Sequence, residues 1–226
     1  MNYFTADTFA FLESLAANNT RDWFADHKQD YEDQVREPAL AFIEAVGERL
    51  PAFAPHFTAD SRKMGGSLMR VYRDTRFGKD KTPYKTNIGI QFRHEVGKDV
   101  HAPGFYVHIS AASCFVGVGT WHPPSPSLAA IRQAIVDSPQ AWLDVRDDEQ
   151  FQRWFYLSGE SLKTAPRGFD RDHAMIEDLR RKDFIAISDI APALIEQPDF
   201  AAMVCDYFVA GTPLMRFLCR AMRLPF

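Results

Sequence analysis

The chain has few cysteines, no long hydrophobic run and no strong excess of either charge. Its 226 residues include three cysteines, Cys114, Cys205 and Cys219. An odd number in apolar surroundings reads as buried, reduced thiols rather than a disulfide framework, which suits a reducing cytosol. No stretch of 18 apolar residues occurs, so no membrane-spanning helix is expected. The opening MNYFTADTFAF has no basic segment followed by an apolar one, so no signal peptide is expected, and the localisation read from the sequence is cytoplasmic. A net charge of −4 argues against a generalised nucleic-acid binder, which normally shows as a basic domain. HExxH, CxxC and G-x-S-x-G are all missing, so zinc-protease, zinc-finger and hydrolase-elbow chemistry find no support. Gly117-Val-Gly119 lacks the third glycine of a dinucleotide fingerprint, and Gly78-Lys-Asp-Lys-Thr82 lacks the spacing of a P-loop. No cofactor is identified and no metal is expected.

What is present is a core-forming composition, 46% apolar and 13% aromatic, enough for one large domain spanning residues 1–226. Helical periodicity runs from a cap at Thr5 or Asp7 and again from about Arg21, and Pro38 either starts a third helix or kinks the second. The period then changes to two. Residues 67–73, 87–93, 104–111 and 114–120 read as strands joined by short connections, favouring an antiparallel meander with one apolar face. From Pro123 the chain returns to helix: one opened by Ser125 or Ser127, short ones over 139–146 and 149–156, and one capped by Asp170 or Asp172 and running to Arg181. Phe184–Ile187 is a candidate fifth strand, followed by two C-terminal helices. Helices, then strands, then helices give an α+β fold, with an antiparallel sheet of four to five strands flanked by N- and C-terminal helices.

The chemistry gathers in Arg70–Asn87, RVYRDTRFGKDKTPYKTN. Six of the sixteen residues from 70 to 85 are basic: Arg70, Arg73, Arg76, Lys79, Lys81 and Lys85, opposed only by Asp74 and Asp80. Residues 60–93 carry +6, leaving −10 for the remainder. Guanidinium forks suit bidentate binding of phosphate or carboxylate, and lysine adds a mobile point charge. The expectation is a small-anion site built from Arg70, Arg73, Asp74, Arg76, Lys81, Tyr84 and Lys85, with Tyr106 and His108 on the polar face of the neighbouring strand to orient the ligand or move a proton. Two alternatives use the same residues: a structural ion-pair network within a non-catalytic interaction module, and a nucleic-acid-associated protein. His94, His101 and His108 recur every seven residues but fall at the base, loop and far strand of a hairpin, so they are not expected to converge on a metal. Asp170-Arg-Asp172-His173 reads as a helix cap.

Arg70-x-x-Arg73-Asp74-x-Arg76-Phe77 followed by Asp80-Lys81-x-x-Tyr84-Lys85 resembles the signature of a bacterial family, with some fungal members, catalogued as domain of unknown function 2461. Supporting the resemblance are Asn18-Asn19-x-Arg21-x-Trp23-Phe24 with Lys28 and Tyr31, Phe105-Tyr-Val-His108-Ile, and Pro166-x-Gly168-Phe169-Asp170-x-Asp172-His173. The chain departs from the family pattern at Val118 and Ala174, outside the charged signature. The resemblance implies a cytoplasmic single-domain protein and no particular activity, reaction or oligomeric state.

Overall fold

The computed structural model of the protein describes residues 2–76, 79–97 and 101–226. Phe77 and Gly78 of the basic signature, and residues 98–100 of the following loop, lie outside the described residues. The architecture is α+β: a five-stranded antiparallel sheet with helices from both ends of the chain.

The N-terminal block is α1 (Ala6–Ala17), α2 (Arg21–Asp26), α3 (Lys28–Tyr31) and α4 (Glu37–Gly47). Thr20 opens α2, its hydroxyl accepting from the Trp23 amide at 3.3 Å. Between α3 and α4, residues Glu32–Arg36 widen into a π-helical turn just ahead of Pro38. Proline has no N–H to give the Gln34 carbonyl four residues back, and that carbonyl is taken instead by the Thr8 hydroxyl at 2.9 Å. The kink expected at Pro38 therefore takes the form of a π turn tied to α1.

The sheet comprises β1 (Asn87–Arg93), β2 (Gly104–Ser110), β3 (Cys114–Thr120), β4 (Tyr156–Ser158) and β5 (Phe184–Asp189), in the order β1-β2-β3-β5-β4. Only the first three form the expected meander. After β3 the chain runs through α5 (Ser125–Asp137), α6 (Pro139–Arg146) and α7 (Glu149–Trp154) before laying down β4 at the edge, and β5 then inserts between β4 and β3. The helix expected over 149–156 thus stops at Trp154, and Tyr156 starts a strand. The helix expected from Asp170 or Asp172 shrinks to α8 (Ile176–Leu179), with Met175 rather than an aspartate at its N-cap. Asp170 and His173 spend their acceptors on local turns, to the amides of Asp172 at 2.9 Å and Met175 at 3.0 Å. Then come α9 (Pro192–Ile195), α10 (Phe200–Ala210) and α11 (Thr212–Ala221).

Residues 67–73 are a correction of another kind. They alternate like a strand and run antiparallel beside β1, but only through isolated bridges, Leu68 to Ile90 and Tyr72 to Tyr84. Backbone bonds from Met69 to Gly89 and from Gln91 to Ser67 hold the first half, and bonds from Lys85 to Val71 and from Arg73 to Pro83 hold the second. The pairing slips by two residues between the halves, so the ladder breaks at Arg70 and no regular strand forms.

Period two sorts the sheet into faces. Ile88, Ile90 and Phe92, Phe105, Val107 and Ile109, Val116 and Val118, and Phe184 and Ala186 are buried against α4, α10 and α11. Cys114, Cys205 and Cys219 are buried free thiols. The opposite face carries Asn87, Gly89 and Gln91, Tyr106 and His108, Phe115 and Gly117, and Ile185 and Ile187. Tyr106, Phe115, Ile185 and Ile187 are half-buried, and none joins the core cluster. Among the described residues no single helix is long and apolar enough to cross a membrane.

Candidate functional site

The basic segment lies along the outer edge of β1, docked onto the N-terminal helices by Tyr84. Its ring is buried and stacks on Phe24 of α2 with centroids 4.1 Å apart. Its backbone is clamped by Asn19, whose amide nitrogen donates to the Tyr84 carbonyl at 3.0 Å and whose side-chain oxygen accepts from the Tyr84 N–H at 3.1 Å. Tyr72, more than half exposed, sits 5.5 Å from the Tyr84 ring, and Tyr31 packs on Phe24 at 5.3 Å. The Asn19-x-Arg21-x-Trp23-Phe24 stretch thereby serves as the seat of the basic segment.

The cations divide into two sets. Arg76 grips Asp74 with its Nε at 3.0 Å and its terminal nitrogen at 2.7 Å, and these bonds hold the Asp74 carboxyl well below the usual carboxylate range. Arg73 pairs with Asp80, which also accepts from the Thr82 N–H at 2.9 Å and the Thr82 hydroxyl at 2.8 Å. Lys81 donates to the Thr75 carbonyl at 2.7 Å. These contacts close the loop on itself. Arg70, Lys79 and Lys85 form the second set: among the described residues none has an ion pair or a side-chain hydrogen bond, and Arg70 and Lys79 are exposed. Lys85 is half-buried beside Leu12, Leu15, Val71 and Asn87. Burial lowers its ammonium pKa, and the neighbouring guanidiniums of Arg70 and Arg73 lower it further.

Asn87 connects this corner to the second, half-buried face of the sheet. It lies beside Lys85, and its amide nitrogen is 3.5 Å from His108 Nδ1, which also faces the Tyr106 hydroxyl at 3.3 Å. With both neighbours donating, Nδ1 is the acceptor and the neutral imidazole carries its proton on Nε2. His108 stacks on Phe115, centroids 4.7 Å apart and planes within 7°. The Tyr106 ring leans across β1, where a Cβ on Gly89 would come within 2.7 Å of its hydroxyl, so glycine at 89 is what lets the phenol lie there. Burial pushes the Tyr106 phenol up to about 12, so it acts here as a hydrogen-bonding group and not as an anion.

Burial also lowers the His108 pKa from 6.5, with a consequence for acid stability. As pH falls below 6.5, the unfolded chain takes up this proton before the folded one, so stability declines from there down to the folded-state pKa. Because the ring is only half-buried, the loss is expected to stay under about 1 kcal/mol. Urea midpoints between pH 7.5 and 5 should show this decline in wild type and lose it in His108→Asn. An unchanged slope in the variant assigns the decline elsewhere.

The other histidines lie apart. His94 is fully buried, 2.9 Å from the Pro225 carbonyl, and His101 lies against Trp121. Among the described residues no group of three or more His, Cys, Asp or Glu could hold a metal ion. A concavity of about 570 Å³ lies between α5, α6 and α11, and none of the candidate anion-site residues lines it.

A family model described as "Conserved hypothetical protein (DUF2461)" matches residues 7–217. The chain belongs to this family. Within this member, the signature falls on the β1 edge segment and the N-terminal motif on its docking seat. No curated protein and no solved structure gives a match. Sequence reasoning missed the job of Asn19, because a side chain that clamps backbone 65 residues away has no local spacing. Its only signal was its place in the family pattern.

Proposed function

We propose that this DUF2461 protein binds a small anion, a phosphate or carboxylate, at the corner where the 70–85 segment meets β1. Arg70 and Lys85 are the primary contacts, Arg73 adds to the field, and Asn87, Tyr106 and His108 orient the ligand. Asp74, Arg76, Lys81 and Tyr84 shape and hold the loop. One observation carries the reading. Lys85 is half-buried beside two guanidiniums with no carboxylate of its own, an arrangement that is unfavourable until an anion joins it. The Arg73–Asp80 and Arg76–Asp74 pairs favour the latch reading for that part of the motif, but they leave the half-buried Lys85 without a carboxylate. The three unpaired thiols suit a cytoplasmic protein.

A thermal-shift screen of phosphate, sulfate, nucleotides and carboxylates tests the proposal. A ligand at a hundredfold excess over its Kd should stabilise wild type by about 2.7 kcal/mol. Lys85→Met should abolish the response while raising the stability of the ligand-free protein by up to about 1 kcal/mol, because it removes a repelled, partly desolvated charge. Arg70→Ala should also abolish it. If no anion stabilises wild type, or both variants respond as wild type does, the segment is a structural latch. A shallow salt dependence accompanies one small anion, whereas a steep log-log slope would point to nucleic acid.

A further inference from the structure

The concavity between α5, α6 and α11 follows from where the three helices carry small side chains. On the core side they close on Ile131, Ile135 and Trp142, all fully buried, and Trp142 packs against Phe217 of α11 with ring centroids 5.2 Å apart. Toward solvent the lining positions are Ala130 and Ala134, one turn apart on α5, Ala141 on α6 and Ala221 at the end of α11, each half-buried. With nothing beyond Cβ to meet across the junction, the helices leave about 570 Å³ between them, lined also by Phe217 and Met222. That lies within the roughly 300–1,000 Å³ of small-ligand clefts, which favour gaps between helices.

Two cations stand on this apolar cleft without a partner. Arg220 and Arg223 line it, both are exposed, and among the described residues neither has an ion pair or a side-chain hydrogen bond. Arg220 lies in the last turn of α11, where the helix dipole alone favours a cation. Arg223 needs another reason. It follows the C-cap Met222 in a Schellman turn: its N–H donates to the Arg220 carbonyl at 3.0 Å, and the Leu224 N–H donates to the Cys219 carbonyl at 2.8 Å. Its φ is +58°, and the position is ordinarily glycine's, because a Cβ strains the left-handed backbone. A turn that only ended the helix would be better made with glycine, whereas arginine keeps a guanidinium on the cleft. Among the described residues that line the cleft, Asp137 is the sole carboxylate, and it accepts from the Gln133 amide at 2.7 Å instead of pairing with either arginine. The lining therefore carries one surplus positive charge.

We propose that this cleft is a second binding site, separate from the anion site at the β1 edge, and that it takes an amphipathic monoanion, a carboxylate on a medium-length alkyl chain. The carboxylate meets Arg223 and Arg220 and balances the surplus charge, and the chain lies on the alanines, Phe217 and Met222. At the ~30 Å³ that a water molecule occupies in the liquid, about 570 Å³ holds at most roughly 20 non-hydrogen atoms, so a chain of about eight carbons fits and a two-chain lipid does not.

Calorimetry on the full chain with acetate, hexanoate, octanoate and octylammonium tests the inference. Affinity should rise about two- to fourfold per methylene from hexanoate to octanoate, as expected for an alkyl chain leaving water, and acetate should bind far more weakly than either. Octylammonium, of the same length and opposite charge, should bind at least tenfold more weakly than octanoate. Ala134→Leu, which extends a helix-compatible side chain into the cleft, should weaken octanoate tenfold or more at an unchanged urea midpoint. Arg223→Gly should weaken octanoate about tenfold while raising the thermal midpoint, since glycine suits the turn; a residue kept for the turn alone would leave binding unmoved. Arg70→Ala and Lys85→Met should bind octanoate as wild type does, so failure of the β1-edge site leaves this one standing. No saturable octanoate binding, equal affinity for octanoate and octylammonium, or octanoate binding that survives both Ala134→Leu and Arg223→Gly overturns the inference. Loss of octanoate binding in Lys85→Met also overturns it, because the anion then sits at the β1 edge.

Discussion

Replacing Gly119 by alanine is expected to destabilise the protein by about 4 kcal/mol or more, enough to leave most of it unfolded or insoluble at 37 °C. Gly119 has φ +125°, a conformation that side-chain-bearing residues rarely adopt. A Cβ there would lie 2.1 Å from the Phe184 carbonyl oxygen and 2.8 Å from the Ile185 Cα. Both obstacles are backbone, so no rotamer change relieves the collision, and relief requires β3 and β5 to part. That pairing joins the β1-β2-β3 meander to the strands laid down more than 35 residues later. Urea denaturation of Gly119→Ala and Gly117→Ala side by side checks this. Gly117→Ala, with no contact closer than 3.7 Å, should stay within about 1 kcal/mol of wild type. Similar midpoints for the two variants would show that β3 can shift away from β5 at little cost.

Asp183→Ala is expected to cost about 3 kcal/mol, through lost charge-assisted hydrogen bonds. Asp183 is 1% exposed. It accepts from the His122 backbone N–H at 2.7 Å, His122 Nδ1 at 2.6 Å and the Glu160 N–H at 2.8 Å. The carboxylate thus pins the turn leaving β3 to the segment following β4, at the end of the sheet where β5 begins. His122 is held there at φ +45°, a left-handed conformation that a non-glycine residue keeps only when its surroundings fix it. Gly159, at φ +102°, lets the backbone pass so close that a Cβ would sit 2.5 Å from the Asp183 Cβ. Asp183→Asn keeps one oxygen acceptor and should lose roughly half as much stability as Asp183→Ala. Equal losses would mean that the charge, rather than the number of acceptors, holds the turn.

Much of this protein was legible along the chain because periodicity and turn chemistry are local. Period two over 87–93, 104–111 and 114–120 marks three strands whose bounds the structure reproduces almost residue for residue, since each has one apolar face to bury. The helical stripes near both termini are local in the same sense. The local signals failed where a distant partner outweighed them. Residues 67–73 alternate correctly, but a slipped pairing with β1 and the 83–85 segment denies them a regular ladder. Tyr156 ends what reads as a helix over 149–156, yet it opens the strand Tyr156–Ser158 because β5 offers a free edge.

The basic signature shows the same division at the level of the site. Its residue types by themselves determined that surplus cations would need carboxylates or an anion, because charge does not depend on folding. Which cations are answered was decided only by tertiary structure. Asp74 lies two residues from Arg76 and Asp80 seven from Arg73, and a closed loop brings both pairs together. Arg70, Lys79 and Lys85 are left without an ion pair among the described residues, and of these Arg70 still acts on the Asp74 carboxylate through its charge. Asp183 and His122 stand 61 residues apart with no motif between them, and meet only because β5 inserts beside β3. Sequence set the charges, the periods and the turn residues, which are properties of short stretches. Folding set the distances between stretches, and with them which polar groups are satisfied.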